Sequence, residues 1–184
     1  MSDRHFAHWP RFTSRHMTVP ATNLCYNAEV SARRYPDKPY LVFYDTPITF
    51  AEFLDETERL AGFLEQECGV GKGDRVLLYM QNSPQFIIGY YAILRANAVV
   101  VPVNPMNLTN ELRHYVKDAG ARVAIASQEI YLQMQPLLQE GLERIVVAAY
   151  SDYLRRTTDL PVPNFVAAPR LQIDDPGATH WVDA

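Results

Sequence analysis

The chain has 184 residues, a net charge of −4, 48% hydrophobic residues and 21% charged residues. This apolar content can supply a core for one domain of ordinary size and excludes a disordered chain. Basic residues do not cluster on any predicted element, so a nucleic acid is not an expected partner. The longest apolar run, near residues 86–94, is too short to form a transmembrane segment.

The N-terminal stretch and the two cysteines bear on location. No apolar run typical of a secretion signal opens the chain, and Cys25 and Cys68 have no motif spacing. These features favour free thiols and a cytoplasmic location. The stretch "MSDRHFAHWPRFTSRHM" carries arginines, as transit peptides do. Asp3 and the Trp9-Pro10 pair instead favour an arm that lies on the surface.

The first predicted elements are a strand over residues 40–44 and a long helix. Thr49 and Glu52 have the spacing of a capping box, in which each side chain accepts a hydrogen bond from the other residue's N–H. Apolar residues recur at helical spacing as far as Cys68. Gly69 then suits the left-handed conformation that ends many helices.

A strand is predicted over residues 76–80, followed by a helix over residues 85–96. That helix is apolar on nearly every side, so protein should cover more than one of its faces. The continuous apolar run at residues 98–103 is typical of a strand in the middle of a parallel sheet. Thr109 is predicted to cap the next helix, which ends at Ala119.

The last predicted elements are a strand at residues 121–127, a helix at 130–140 and a strand at 144–150. Four repeats of strand and helix predict an α/β fold with a doubly wound, mostly parallel sheet and helices on both faces.

The chain divides into three segments on this interpretation. Residues 1–38 form an N-terminal arm and first helix, and residues 39–150 form the α/β subdomain. Residues 151–184 carry several prolines and little periodicity. We expect them to form an extended segment that runs over the surface and contains no second domain.

The glycine-rich stretch "GVGKGDR", residues 69–75, invites comparison with a phosphate-binding loop. Such a loop follows a strand and precedes a helix, so that its backbone N–H groups and the helix dipole face the phosphate. Here the predicted order is reversed. We therefore interpret the stretch as a helix end and a turn. The dinucleotide fingerprint G-x-G-x-x-G is also absent.

Individual side chains do not form a recognisable catalytic set. His5, His8 and His16 lie in the N-terminal arm, where a rigid set of metal ligands is not expected. His114 and His180 have no neighbouring nucleophile motif. From the residues alone we assign no catalytic residue and no metal ligand.

A set of short motifs in a fixed order carries more information. The stretch "ITFAEF" precedes "GVGKGDRVLLYMQNSPQFIIGYYAILRANAVVVPVNPMNLTNEL". The matching residues are Gly69, Gly73, Asp74, Arg75, Val76, Asn82, Ser83, Phe86, Ala98, Val99, Pro102, Asn104 and Pro105. In this order they resemble the N-terminal part of the AMP-forming acyl-CoA synthetases, within the adenylate-forming superfamily. The resemblance covers about residues 23–150, and Asn97 stands where the family usually has glycine.

The resemblance implies that the parent protein binds ATP and a carboxylic acid, forms an acyl-adenylate and transfers the acyl group to coenzyme A with the help of Mg²⁺. The variant "VVVPVNPMN" is most similar to long-chain fatty acid–CoA ligases. The family's phosphate loop, its Mg²⁺-binding acid and its catalytic lysine have no counterpart here. The chain is thus expected to be an inactive N-terminal fragment that binds none of these cofactors tightly and can form a homodimer through its uncovered surface.

The resemblance also assigns a place to Asn104, Pro105 and Met106. In the family, the loop after this strand lies near the entrance for coenzyme A. Some relatives have a basic residue directly after Asn-Pro that meets a phosphate of coenzyme A, and here that residue is Met106. We therefore predict that these three residues line the cleft without binding phosphate.

Two other functions remain open. The chain could be a free-standing α/β scaffold or partner-binding module. The parent could also adenylate an acid and transfer it to the pantetheine of a carrier protein.

Overall fold

A five-stranded parallel sheet forms the centre of the computed structural model, which describes residues 4–184. Its strand order is β4-β3-β5-β6-β7. The helices are α1 (Leu24–Arg34), α2 (Phe50–Gln66), α3 (Pro84–Arg95), α4 (Thr109–Ala119), α5 (Tyr131–Met134) and α6 (Asn164–Ala167). The strands are β1 (Pro39–Phe43), β2 (Thr46–Thr49), β3 (Arg75–Tyr79), β4 (Val99–Val103), β5 (Val123–Ser127), β6 (Arg144–Ala148) and β7 (Ala178–His180).

Alternate residues of the strands point into two separate cores. Leu78 and Ile125 face the core that includes α2 and α3. Leu77 and Ala124 face the core that includes α4 and α5. Since side chains alternate across a strand, each face of the sheet is covered by its own helices. The predicted doubly wound α/β fold is confirmed.

The predicted strand at residues 40–44 does not belong to this sheet. It forms β1, which pairs antiparallel with β2 in a separate two-stranded sheet. Tyr44 and Asp45 connect the strands with φ angles of 44° and 62°. Both angles lie in the left-handed region, as tight hairpin turns require. The sequence pattern missed β2 because its four residues directly precede a strong helix signal.

The start of α2 agrees with the predicted capping box. The Thr49 hydroxyl accepts from the Glu52 N–H at 3.2 Å, and the Glu52 carboxylate accepts from the Thr49 N–H at 2.7 Å. Gly69 follows the helix with a φ of 63°, so the predicted role of this glycine in the helix end is also confirmed.

The apolar helix α3 is covered on more than one side, as predicted. Ile88, Ala92 and Ile93 are fully buried in the core beneath the sheet. Helices α1 and α2 pack against it as well. Its flanking aromatic residues, Tyr90 and Tyr91, are half-buried.

The prediction that residues 98–103 form a central strand is wrong in position. β4 lies at the edge of the sheet, and Val99 is 47% exposed. Pro102 lies opposite Leu78 in the parallel pairing with β3. Proline lacks the N–H that would bond to a second neighbouring strand. An edge strand has no such neighbour, so proline is tolerated there.

Thr109 does not cap α4 as predicted. The N-cap is Leu108, whose N–H donates to the Glu111 carboxylate at 2.8 Å. The Thr109 hydroxyl instead donates to the Gln133 side-chain oxygen at 2.9 Å. A tertiary contact that the local pattern could not reveal thus draws Thr109 away from the capping role.

The single helix predicted over residues 130–140 is interrupted. It consists of α5 and a 3₁₀ helix, Gln135–Gln139. Pro136 lies in the first turn of the 3₁₀ helix. Because proline lacks an N–H, it favours this change of helix type.

The C-terminal segment is more structured than its sequence suggested. Residues 178–180 form β7, which pairs parallel with β6, and Trp181 is only 9% exposed. The expectation of a segment that only runs over the surface is therefore wrong for this part. The three residues of β7 are too few for a recognisable strand pattern.

Candidate functional site

The strand order identifies one edge of the sheet as the place for a ligand. Counted from β3, the order is 2-1-3-4-5, so the chain leaves β3 in one direction and later returns to its other side as β5. The connecting helices α3 and α4 lie on opposite faces of the sheet. In open α/β sheets, ligands bind outside the carboxyl ends of the strands where the winding direction reverses. Here that place is the carboxyl edge of β3 and its neighbours.

The predicted residues Asn104, Pro105 and Met106 lie at this edge, directly after β4. The Asn104 side-chain oxygen accepts from the Met106 N–H at 2.9 Å, and its carbonyl accepts from the Asn107 N–H at 3.0 Å. These bonds form a tight turn. Met106 remains 77% exposed, so its side chain is open to a ligand or to another part of the protein.

The turn is attached to the core through Tyr79. This fully buried residue ends β3 and its hydroxyl donates to the Asn107 carbonyl at 2.6 Å. Burial raises the pKa of Tyr79, with smaller contributions from Glu129 and Glu111. The phenol therefore stays protonated and keeps donating this hydrogen bond.

The turn lines an open depression of about 460 Å³. Its lining residues are Met80, Gln81, Asn82, Phe86, Pro102, Val103, Asn104, Pro105 and Met106. The structure thus brings the three predicted residues together with the segment that follows β3. This lining contains amide and apolar side chains and no charged side chain.

A second polar group at the carboxyl edge was not predicted from the sequence. The Gln81 N–H donates to the Tyr150 hydroxyl at 2.8 Å, and the Ser127 hydroxyl donates to the Glu129 carboxylate at 2.8 Å. Gln81, Glu129 and Tyr150 follow β3, β5 and β6, and Ser127 is the last residue of β5. Burial is the main cause that raises the pKa of Tyr150, so this residue is a neutral phenol. The signal available in the sequence was the position of polar residues directly after strands.

Gln85 is an exception in the apolar helix α3. It is completely buried, and its Nε2 donates to the Ala149 carbonyl at 2.7 Å. Its Oε1 has no hydrogen-bond partner among residues 4–184. Gln85 therefore joins the first turn of α3 to the end of β6 at the carboxyl edge.

A charged pocket lies near the C-terminal segment, with a volume of about 330 Å³. Arg155 pairs with Glu56 at 3.0 Å and Arg170 pairs with Asp152 at 2.7 Å. The Tyr153 hydroxyl also donates to Glu56, and burial followed by the charge of Glu56 raises the pKa of Tyr153. The third arginine of the lining, Arg59, pairs with Asp55 at 2.8 Å. Since each of these arginines is matched by a carboxylate, the pocket offers no surplus positive charge to a phosphate.

The glycine-rich turn at residues 69–75 lies at the opposite, amino edge of the sheet. It follows α2 and leads into β3, so its interpretation as a helix end and a turn is confirmed. The Asp74 carboxylate accepts from the Gly71 N–H at 2.9 Å. Gly73 has a φ of 85°, a conformation that glycine adopts readily.

The histidines are divided between the N-terminal arm, α4 and the carboxyl end of β7. His5, His8, His16 and His114 are exposed, and His180 belongs to β7. Within residues 4–184 the structure contains no group of three or more His, Cys, Asp or Glu side chains that could hold a metal ion. No helix in the described part of the chain is both long and apolar enough to cross a membrane.

Comparison with known proteins identifies the family. The sequence pattern of the family described as "AMP-binding enzyme" matches residues 28–176. The chain belongs to this family, as its motifs had indicated.

The chain is similar to bacterial ligases over most of its length. It is 31% identical to a long-chain-fatty-acid–CoA ligase of Bacillus subtilis over 169 residues, which are 90% of this chain and 29% of that protein. It is 32% identical to the enzyme of the same name from Salmonella typhimurium over 139 residues, or 75% of this chain and 25% of that protein. The chain thus spans less than a third of these relatives.

Solved structures show the same arrangement. A long-chain-fatty-acid-CoA ligase from Archaeoglobus fulgidus superposes with a TM-score of 0.64 at 26% identity, covering 71% of this chain and 28% of that one. The N-terminal subdomain of NpsA from Klebsiella oxytoca, in complex with 3-hydroxyanthranilyl-AMSN, gives 0.52 at 30% identity, with 56% and 26% covered.

The departure from the family at Asn97 has a structural explanation. Asn97 follows α3 with a φ of 57°, in the left-handed region. After glycine, asparagine is the residue that adopts this conformation most readily. Asparagine therefore fits the backbone of this turn, where the family resemblance predicts glycine.

Proposed function

We propose that this chain forms the N-terminal part of an ATP-dependent ligase that converts a fatty acid to its acyl-adenylate and then transfers the acyl group to coenzyme A. The match of residues 28–176 to the AMP-binding enzyme family carries this proposal. The ligases named above favour a long-chain fatty acid as the substrate. The two buried free cysteines, Cys25 and Cys68, support a reducing compartment such as the cytoplasm.

Within that reaction, coenzyme A is the acceptor of the acyl group. We assign Asn104, Pro105 and Met106 to the wall of the cleft on this acceptor side. The uncharged lining of their depression supports this role. Amide and apolar groups suit the amides and thiol of a pantetheine chain, whereas a phosphate would require cations or a row of free N–H groups.

The described residues do not fit a site for Mg²⁺ or for the phosphates of ATP. No cluster of metal ligands occurs among residues 4–184, and the glycine-rich turn precedes a strand instead of a helix. We therefore derive no adenylation step from this chain, and we expect it to be inactive alone.

The main experiment uses the product of the complete reading frame that contains this sequence. Incubation with ATP, a long-chain fatty acid and coenzyme A should release AMP and pyrophosphate and form acyl-CoA. The 184-residue chain should give no product under the same conditions. If the complete product forms no acyl-adenylate with any carboxylic acid, the proposal is wrong.

Met106 allows a sharper test of the acceptor side. Met106→Lys places a cation in the depression and should lower the KM for coenzyme A several-fold, while the KM for ATP stays unchanged. Leu132→Lys is the matched control, because Leu132 is similarly exposed but lies on α5. Equal effects of both substitutions on the KM for coenzyme A would contradict the assignment.

A carrier protein is the second candidate acceptor. The chain is similar to the N-terminal subdomain of NpsA from Klebsiella oxytoca, and a further NpsA structure is an artificially fused adenylation-PCP di-domain. This similarity favours a carrier protein as the acceptor. Both acceptors present a pantetheine thiol. Offering the complete product coenzyme A and a pantetheine-loaded carrier protein, separately and in competition, distinguishes them by the thioester that accumulates.

A scaffold module is the remaining alternative. As a fragment, the chain should associate through the apolar surface that the rest of the parent would cover, and form a homodimer at high concentration. Sedimentation of the isolated chain measures this association. A monodisperse monomer, together with a stop codon directly after codon 184 in the natural gene, would favour the scaffold.

A further inference from the structure

The N-terminal arm, residues 4–22, folds on itself outside the region that matches the family. The Phe6 and Trp9 rings lie 5.7 Å apart, and the Arg15 guanidinium lies 5.3 Å from the Phe6 ring. The Trp9 indole N–H donates to the Thr13 carbonyl at 3.0 Å. The hydrogen bonds described for this segment all join arm residues to each other.

The arm exposes large apolar side chains to an unusual degree. Phe12 is 102% exposed, Met17 87% and Val19 71%, and Trp9 is partly exposed. A single exposed apolar residue on a protein surface needs no explanation, but four of them within eleven residues form a surface that water solvates poorly.

The charge of the arm is opposite to that of the whole chain. Residues 4–28 contain Arg4, Arg11 and Arg15 and no carboxylate, whereas the full chain has a net charge of −4. Each arginine is exposed. The arm is thus a positive, aromatic segment on a negative protein.

We propose that the arm, residues 4–22, docks the protein on the surface of an anionic lipid bilayer. The three arginines contact lipid phosphates, and the ring of Phe12 and the thioether of Met17 enter the region between headgroups and acyl chains. Trp9 suits the same region, because its ring is apolar and its N–H is satisfied within the arm. This inference goes beyond the proposed function, because it concerns attachment and does not depend on any reaction.

The chemistry of the arm favours a lipid surface over two other occupants. Attraction to nucleic acid would use the arginines and leave Phe12, Met17 and Val19 in water. A second copy of the chain would have to offer a negatively charged apolar surface, and the exposed apolar residues of the rest of the chain are spread over several elements. A lipid bilayer with anionic headgroups accepts charge and apolar groups together.

Co-sedimentation with vesicles tests the charge part of the proposal. The 184-residue chain should bind vesicles of phosphatidylcholine with phosphatidylglycerol and should bind phosphatidylcholine alone much more weakly. Replacement of Arg4, Arg11 and Arg15 by Gln should weaken binding to the anionic vesicles about 100-fold, since each basic residue near such a surface contributes roughly a fivefold factor.

The matched control removes the same charge from the rest of the chain. Lys72, Lys117 and Arg156 are exposed, and their replacement by Gln should change binding less than about threefold, because they lie outside the arm. An equal loss in both triple variants would overturn the proposal. Circular dichroism should be unchanged in both, since the 3₁₀ helix of the arm contains no buried residue.

Trp9 provides a direct signal for insertion. Brominated lipids should quench its fluorescence, whereas Trp181 is buried in the core and should respond little. Trp9→Phe should abolish the quenching, and Phe12→Ser with Met17→Ser should weaken vesicle binding in high salt as well as in low salt. Absence of quenching in bound protein, binding of an RNA oligonucleotide in preference to vesicles, or concentration-dependent dimerisation through the arm would each contradict the proposal.

Discussion

The two edges of the parallel sheet are built in different ways. At the amino edge, backbone bonds join neighbouring turns to each other: the Gly73 N–H donates to the Asn97 carbonyl at 3.0 Å, and the Val99 N–H donates to the Asp74 carbonyl at 2.7 Å. At the carboxyl edge, side chains from the core make the bonds that attach the turns. Tyr79 donates to the Asn107 carbonyl, and the Gln81 N–H donates to the Tyr150 hydroxyl.

This difference separates the turns that the backbone conformation requires from the turns at the proposed ligand edge. The amino edge depends on residues with positive φ, among them Gly69, Gly73 and Gly120, so its glycines are required by the backbone. The carboxyl edge depends on side chains and leaves polar groups exposed, as at Asn82 and Asn104. In this protein a glycine-rich sequence therefore marks the edge that folds the sheet, and the polar residues after the strands mark the edge that can bind.

The largest effect is expected from a side chain added at the amino edge. Gly73→Val forces a branched residue to a φ of 85° and should lower the free energy of unfolding by about 2–3 kcal/mol. Urea denaturation measures the change. Lys72→Val is the control, since Lys72 is an exposed neighbour without a positive φ. Equal losses in the two variants would show that the backbone conformation is not the cause.

A smaller effect is expected at the carboxyl edge. Tyr150→Phe leaves the Gln81 N–H without its acceptor and should lower the free energy of unfolding by about 1–2 kcal/mol. Hydrogen exchange at the Gln81 amide should become faster, while exchange at the amino edge stays unchanged. Tyr26→Phe serves as the control because Tyr26 is exposed. If exchange accelerates at both edges, the two edges do not behave as separate units.

Alkaline pH should reveal the burial of Cys68, beside the amino edge. Burial raises the pKa of its thiol to about 11, whereas an unfolded thiol has a pKa of about 8.5. Below pH 8.5 both states are protonated and this contribution to stability is complete. Between pH 8.5 and 11 only the unfolded state ionises, so the free energy of unfolding should fall by up to about 1.4 kcal/mol per pH unit.

The thiol's share of this loss is measured with Cys68→Ala, whose stability should depend less steeply on pH in that range. Val70→Ala is the control: Val70 is buried nearby but does not titrate, so this variant should be less stable with an unchanged slope. A slope that Cys68→Ala leaves unaltered would assign the alkaline loss to other groups, such as Tyr150 and Tyr153, whose pKa values are also raised by burial.

The smallest effect is expected at Asn97, where the family resemblance predicts glycine. Asn97→Gly should stabilise the chain by less than about 1 kcal/mol, because glycine adopts the observed φ of 57° more easily. Asn97→Ala should destabilise it by about 1 kcal/mol for the same reason. The midpoint temperatures of thermal unfolding of these two variants should shift in opposite directions. A shift of both variants in the same direction would contradict this explanation.

Local signals predicted the parts of the fold that depend on neighbouring residues. The capping box at Thr49 and the helix end at Gly69 follow from short-range hydrogen bonds and backbone conformation, so the sequence suffices to locate them. The edge position of β4 could not be predicted in this way. Its valines indicate burial and β preference, but the neighbours of a strand are decided by the whole topology.

The site shows the same limit. Asn104, Pro105 and Met106 were placed by their resemblance to a family motif, and their role as ligand contacts stays a prediction. Tyr150 and Gln85 were missed because their partners, Gln81 and Ala149, lie more than sixty residues away in the sequence. Such contacts become visible only once the sheet is assembled.

The position of Pro102 in the edge strand β4 affects how readily the chain can aggregate while it is being synthesised. An edge strand presents an unpaired row of backbone groups, to which a second nascent chain can add in register. Proline removes one donor from that row, and the exposed Asn104 follows it two residues later. A growing aggregate would therefore lose its hydrogen-bond ladder at this point, so the edge of the sheet is protected from self-stacking before any neighbouring part of the protein can cover it.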